Sequence, residues 1–78
     1  MNHSLANRFF VLTGQLEHTS RQEAEAMLKS LGATIQHTVN KKTTDLVLGK
    51  NPGSKLQKAK ALKHINILPE SNLLELFK

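Results

Sequence analysis

The apolar positions fall into short blocks separated by polar or glycine-containing stretches, and the period inside each block decides what it forms. Residues 9–13 (Phe9-Phe10-Val11-Leu12-Thr13) are an almost unbroken apolar run stopped by Gly14, the pattern of a central strand covered on both faces. Ser20-Arg21-Gln22-Glu23 has the spacing of a capping box, with serine at the N-cap and glutamate at the third helical position. Ala24, Met27, Leu28 and Leu31 follow at i, i+3, i+4 and i+7, and Gly32 permits a left-handed stop, which predicts a helix over residues 21–31. Residues 33–39 alternate instead. Ile35, His37 and Val39 share one side and Thr34, Gln36 and Thr38 the other, predicting a half-buried strand nearer an edge, with His37 a satisfied core histidine. After the polar residues 40–44, Leu46-Val47-Leu48 predicts a third strand ended by Gly49, and Asn51-Pro52-Gly53 cannot continue any regular element. Ser54-Lys55-Leu56-Gln57 repeats the capping-box spacing, so a second helix is expected from Lys55 to about Lys63. A short strand over 65–68 and a helix over 70–77, with Leu73, Leu74 and Phe77 inward, complete the pattern.

The order strand-helix-strand-strand-helix-strand-helix implies an α/β fold with a mostly parallel sheet and helices on its faces. The joint at residues 40–44 is too short for a helical crossover, so the pattern permits an antiparallel hairpin there. Five residues at about 3.3 Å each also span roughly 17 Å, enough to return beside a short parallel strand. With the first strand central and both crossovers right-handed, the two strand-helix-strand units wind in opposite directions. A switch point then opens at the carboxyl ends of the first and third strands, where Thr13-Gly14 meets the loop of residues 49–54. Ligand chemistry is expected at that edge.

Length bounds what such a fold can hold. Seventy-eight residues make one small domain, and a chain of that size buries only about 60 to 65% of its unfolded surface, leaving little space for a deep substrate cavity. Catalysis is not expected, and no cofactor is implied. The absence of cysteine excludes disulfides and thiolate zinc sites. His3, His18, His37 and His64 show no metal spacing, and no acidic pair or Ser/His/Asp arrangement stands out. The polar start Met1-Asn2-His3-Ser4 is linker-like, and residues 1–7 are expected to lie outside a folded domain of residues 8–78. The longest apolar run, Phe9 to Leu12, is far short of the roughly 20 residues of a membrane span, so a soluble intracellular protein with no membrane partner is expected.

Charge changes the picture most. Residues 1–39 carry Arg8, Arg21 and Lys29 against Glu17, Glu23 and Glu25 and are neutral, whereas residues 40–78 carry eight lysines against Asp45, Glu70 and Glu75 and hold the whole net charge of +5. A localised surplus of this kind favours a polyanionic partner, nucleic acid or a phosphorylated chain; a merely solvated lysine face is the other reading. Arg21 and Lys55 both stand at helix starts, where the positive end of the helix dipole disfavours cations and favours an anion. This topology brings both near Thr13-Gly14, where a hydroxyl and a backbone without a side chain are available, so a phosphate recruited between them is the sharper reading. The blander one is that Thr-Gly merely turns and both long side chains bend into solvent. Lys41, Lys42, Lys50 and Lys58, with Lys60 and Lys63, would continue a track along a duplex backbone. Base-specific readout is not expected, because there is no tyrosine or tryptophan and the three phenylalanines sit in core-like positions.

Phe10-Val11-Leu12-Thr13-Gly14, Ser20-Arg21-Gln22-Glu23-Ala24, Leu31-Gly32-Ala33, Lys41-Lys42-Thr43, Leu46-Val47-Leu48-Gly49 and Gly53-Ser54-Lys55-Leu56-Gln57-Lys58-Ala59 together resemble the BRCT domain. The likeness is nearest the type found at the C-terminus of bacterial NAD-dependent DNA ligases and in the large subunit of the eukaryotic clamp loader, and it covers residues 8–77. It implies a three-layer fold whose four-stranded parallel sheet has order 2-1-3-4, flanked by three helices, two on one face and one on the other. It also implies a phosphate pocket made of the Thr-Gly pair and the lysine of the second helix, joined in DNA-binding members by the arginine opening the first helix. Here these are Thr13, Gly14, Lys55 and Arg21, with Lys41, Lys42, Lys50 and Lys58 as candidate contacts to the DNA backbone. The implied function is a non-catalytic module that binds DNA at 5′-phosphorylated ends in replication or repair, as part of or related to an NAD-dependent DNA ligase. The alternative is a module that docks a phosphorylated or acidic protein partner or its own parent enzyme. The implied location is the bacterial cytoplasm and nucleoid, or the nucleus of a eukaryote. Three departures concern packing rather than the pocket: no tryptophan in the last helix, Gly32-Ala33 for a double glycine, and Lys63 where a glycine commonly follows leucine.

Overall fold

The structure, a computed structural model, describes residues 5–76. Its elements are β1 (Phe9–Thr13), α1 (Arg21–Ser30), β2 (Thr34–Gln36), β3 (Asp45–Leu48), α2 (Ser54–Leu62), β4 (Asn66–Pro69) and α3 (Glu70–Leu76). One sheet holds all four strands in the order β2-β1-β3-β4, and every neighbouring pair is parallel. This is the expected α/β arrangement, and it closes the open joint in favour of the parallel connection. Because β2 ends at Gln36, residues 37–44 are available for the return, more chain than the five residues the alternation left.

The unbroken apolar runs are explained by burial on both faces. Phe10, Leu12 and Val47 pack with Ala24 and Leu28 of α1, Leu73 of α3, Leu5 and Ala33 on one face. Val11 and Leu46 pack with Val39, Ala59 of α2 and Ile65 on the other. The single-residue alternation along β1 therefore feeds two cores, with α1 and α3 over one and α2 over the other. Phe77, expected to point inward from the last helix, lies outside the described residues.

Four local expectations are corrected. Alternation puts Ile35, His37 and Val39 on one side, yet β2 spans only three residues, His37 is exposed, and Ile35 and Val39 reach opposite cores. The strand stops because side chains take over the bonding. Thr43 Oγ1 donates to Gln36 Oε1 at 2.6 Å, and Asn40 Oδ1 accepts from the Lys42 N–H at 2.8 Å, closing a turn. Leu5, assigned to a linker-like start, is 2% exposed and donates its N–H to the Leu31 carbonyl at 2.8 Å, so the packed part of the chain begins earlier than residue 8. The second helix is capped by Gly53 at φ +70° with no side-chain cap, so Ser54 is its first residue and Lys55 its second. The last strand runs one residue later than expected, Asn66–Pro69, with Ile65 buried just before it. Lys63 takes a left-handed φ of +65° at the end of α2, which is why glycine suits that position.

Asp45 is fully buried in β3, where Arg8 grips it from beyond the start of β1 through bonds of 2.7 and 3.0 Å. Thr44 Oγ1 at 2.6 Å and Asn66 Nδ2 at 3.3 Å complete the carboxylate's partners. Donation to the Asp45 carboxylate raises the Arg8 pKa, partly opposed by burial and helped by the opposite charge. This bidentate pair ties the amino ends of β1 and β3 together, and the Asn66 bond adds that of β4. Among the described residues no helix is long and apolar enough to cross a membrane.

Candidate functional site

β1 and β3 end side by side, with Thr13 in register with Leu48, and the loops that follow close on each other. The Gly49 N–H donates to the Thr13 carbonyl at 2.7 Å, while Gln15 and Lys50 exchange backbone bonds of 2.8 and 2.9 Å. Backbones this close exclude side chains. A Cβ on Gly14 would collide with the Lys50 carbonyl oxygen, one on Gly49 would lie 2.7 Å from the Gln15 oxygen, and Gly14 takes φ +77°. Both glycines are therefore required by the approach of the two loops.

Thr13 is buried, and its hydroxyl donates to the Pro52 carbonyl, pinning the 49–54 loop a second time. Asn51 and Gly53 flank this anchor with φ of +53° and +70°, and that turn delivers the chain into α2. The hydroxyl proton of Thr13 is thus committed to the loop, and its buried oxygen has no further proton to donate.

Arg21 opens α1, follows the cap residue Ser20, and bends back so that Nη2 donates to the Gly14 carbonyl at 3.2 Å. Lys55 stands at the start of α2, directly after the pinned loop. It is half-buried, and its ammonium has no hydrogen-bond or ion-pair partner among the described residues. The structure therefore brings Thr13, Gly14, Arg21 and Lys55 to one edge of the sheet, at the carboxyl ends of β1 and β3. Lys50 belongs to the same edge but lies 3.5 Å from Glu17 in an exposed pair, an interaction of small net worth.

Sequence reasoning missed the residue that holds this edge in shape. Glu70, first residue of α3 and only 9% exposed, accepts from the backbone N–H groups of Glu17 and His18, both at 2.7 Å. Burial by itself would raise its pKa; the two N–H donors, reinforced by the neighbouring His18, outweigh it and hold the carboxyl below its ordinary value. Its carboxylate bridges the β1–α1 loop to α3. In sequence Glu70 reads as an ordinary acidic residue in a first helical turn, and nothing in its spacing announces a partner more than fifty residues away.

The remaining candidate lysines divide. Lys58 lies about one helical turn beyond Lys55 on α2. Lys41 and Lys58 line a groove of about 350 Å³ with Val39, Asn40, Ala61 and Leu62, and Lys42 joins Lys41, Gln36 and Asn40 in an adjoining concavity. This groove adjoins the turn that precedes β3, the opposite end of the strands from Gly14. His18, His37 and His64 take no part in a metal set, for no three His, Asp or Glu side chains gather among the described residues.

Comparison with known proteins places the chain as a whole. The family model described as the BRCA1 C Terminus (BRCT) domain matches residues 5–77. A DNA ligase of Protochlamydia amoebophila is 43% identical over 75 residues, covering 96% of this chain and 11% of the ligase. A DNA ligase of Chlamydia felis is 47% identical over 73 residues, covering 94% and 11%, and one of Xylella fastidiosa is 53% identical over 64 residues, covering 82% and 8%. The chain thus spans about a tenth of the length of these curated relatives.

Proposed function

The chain belongs to the BRCT family, and from that premise we propose that it is a non-catalytic module that binds DNA in replication or repair. The edge of Thr13, Gly14, Arg21 and Lys55 takes a terminal 5′ phosphate, and Lys50 beside it takes an adjoining backbone phosphate, whereas Lys41, Lys42 and Lys58, candidates for the same role in sequence, stand toward the other end of the strands. The parent activity would be that of an NAD-dependent DNA ligase or a related repair enzyme, acting where the DNA lies, in the bacterial cytoplasm and nucleoid. The relatives named DNA ligase support that placement.

The observation that carries this reading is the unneutralised ammonium of Lys55 at the edge where Arg21 is already folded over the Gly14 carbonyl. A phosphate there would accept from Lys55 and from the guanidinium donors that Arg21 has not used on Gly14, both charge-assisted contacts. The positive end of the α2 dipole adds to them. Thr13 and Gly14 act mainly by holding the loops so that these donors converge. Titration of the chain with duplexes whose ends differ only in a 5′ phosphate tests the reading. Tighter binding of the phosphorylated end, weakened by Lys55→Ala, is expected; equal affinity for both ends removes the phosphate-end assignment.

A further inference from the structure

The lysines at the far end of the sheet line a surface unlike a phosphate track. We propose that the groove between the C-terminal half of α2 and the turn before β3 docks an acidic peptide segment of a partner protein, anchored by one apolar side chain. The lining combines two chemistries. Val39, Ala61 and Leu62 supply aliphatic surface, and Lys41 and Lys58 stand on opposite walls, one on the turn and one on the helix. At about 350 Å³ the groove is at the lower end of the range for ligand pockets, room for a large side chain rather than a cofactor. A duplex phosphate gains nothing from aliphatic carbon and loses water against it. A leucine, isoleucine or phenylalanine buries apolar area there, while neighbouring aspartates or glutamates meet the lysines.

Charge complementarity selects the acidic flanks. α2 carries Lys55, Lys58 and Lys60 and no acidic residue, and residues 37–44 add Lys41 and Lys42, again with no acid. None of these lysines has an ion-pair partner among the described residues. The turn wall is built in advance: Asn40 holds the Lys42 N–H, Thr43 Oγ1 accepts from the Asn40 N–H at 3.0 Å, and the His64 ring lies 3.1 Å from the Thr43 carbonyl oxygen. A wall already ordered loses little entropy when a peptide docks. This surface does not depend on the phosphate reading, because its residues lie at the other end of the strands.

The test is an amide-shift titration of the isotope-labelled chain with short synthetic peptides of aspartate and glutamate around a central leucine, isoleucine or phenylalanine. Matched peptides with a central alanine serve as controls. Saturable shifts at residues 39–42 and 58–62 are expected, with affinity lower by about tenfold or more for the alanine-centred peptides. Ala61→Arg fills the groove from an exposed helical position and adds a positive charge. It should weaken the apolar-centred peptides by about tenfold, with an unchanged melting temperature and DNA affinity undiminished. Equal binding of the alanine-centred peptides, no saturable shift from any apolar-centred peptide, or shifts confined to Gly14, Arg21 and Lys55 would each overturn the proposal. So would a loss of DNA binding in Ala61→Arg with peptide binding intact.

Discussion

Helices α1 and α2 both begin beside the Gly14 edge and both carry the Ser-x-x-Glu/Gln spacing, yet their starts are built differently. At α1, Ser20 Oγ accepts from the Glu23 N–H at 3.1 Å and also donates to the Glu23 carboxylate, so an acidic group already faces the positive end of the helix. Its cation, Arg21, rests on the Gly14 carbonyl. At α2 the cap is Gly53, no side chain accepts from the first N–H groups, the first turn has no acid, and Lys55 adds a positive charge without a partner. One start is satisfied from within and the other is left electropositive. In the proposed function the difference gives the two cations different parts: Arg21 shapes the edge as well as charging it, and Lys55 is the group that would meet an anion.

The largest effect is expected where the loops touch. Gly14→Ala places a Cβ against the Lys50 carbonyl at φ +77°, and the left-handed penalty of about 1–2 kcal/mol plus the displaced backbone should destabilise by about 3 kcal/mol or more in urea unfolding. Gly53→Ala meets no atom within 4 Å and should cost only the strain of its backbone, φ +70° and ψ −153°, a region essentially confined to glycine, about 1–3 kcal/mol and less than at Gly14. Similar losses at the two sites would mean that the loop closure is not what demands Gly14. Next, Lys55→Ala should weaken binding of a 5′-phosphorylated duplex by about 1.5–3 kcal/mol, and Arg21→Ala by about 1 kcal/mol because it is exposed and already engaged. The reverse order would undo the division of roles between the two helix starts.

Glu70→Gln should cost about 1–2 kcal/mol at neutral pH, since a neutral amide replaces a carboxylate facing two N–H groups. Its folded-state pKa lies below the ordinary 4.5, so its stabilisation is fully present above that value and is lost as pH falls through 4.5 toward the depressed pKa. Acid unfolding of Glu70→Gln should accordingly be shallower over that window, and an unchanged pH profile would exclude Glu70 as the loop's anchor. The smallest effects belong to the caps. Ser20→Ala should destabilise by about 1 kcal/mol in thermal or urea unfolding and Ser54→Ala by less than about 0.5 kcal/mol, although the two serines have the same sequence signature.

That last pair shows where sequence runs out. Element order and the two-faced burial of β1 and β3 were legible because apolar runs and helical stripes are local and periodic. Ser54 misled because a tertiary bond, Thr13 to the Pro52 carbonyl, fixes the turn and leaves Gly53 to cap the helix. His37 misled because the Gln36–Thr43 bond ends β2 before the alternation does. Thr13, Gly14, Arg21 and Lys55 were found from charge at helix starts and from strand order, so their meeting at one edge followed from topology. The buried carboxylates of Asp45 and Glu70 were not found, because their partners, Arg8 and the Glu17–His18 backbone, lie distant in the chain and carry no spacing signal. The groove of Val39, Ala61 and Leu62 was likewise illegible, since it needs the end of α2 laid beside the 40–43 turn.

The central claim is that Lys55 completes an anion site at the carboxyl edge of β1 and β3. Its most direct measurement is the affinity of the chain and of Lys55→Ala for one short duplex carrying or lacking a 5′ phosphate, at a single salt concentration. The account predicts that the phosphate tightens binding to the native chain and that this preference collapses in Lys55→Ala while the residual, phosphate-independent affinity changes little. A phosphate preference of undiminished size in Lys55→Ala, or none in the native chain, would contradict it.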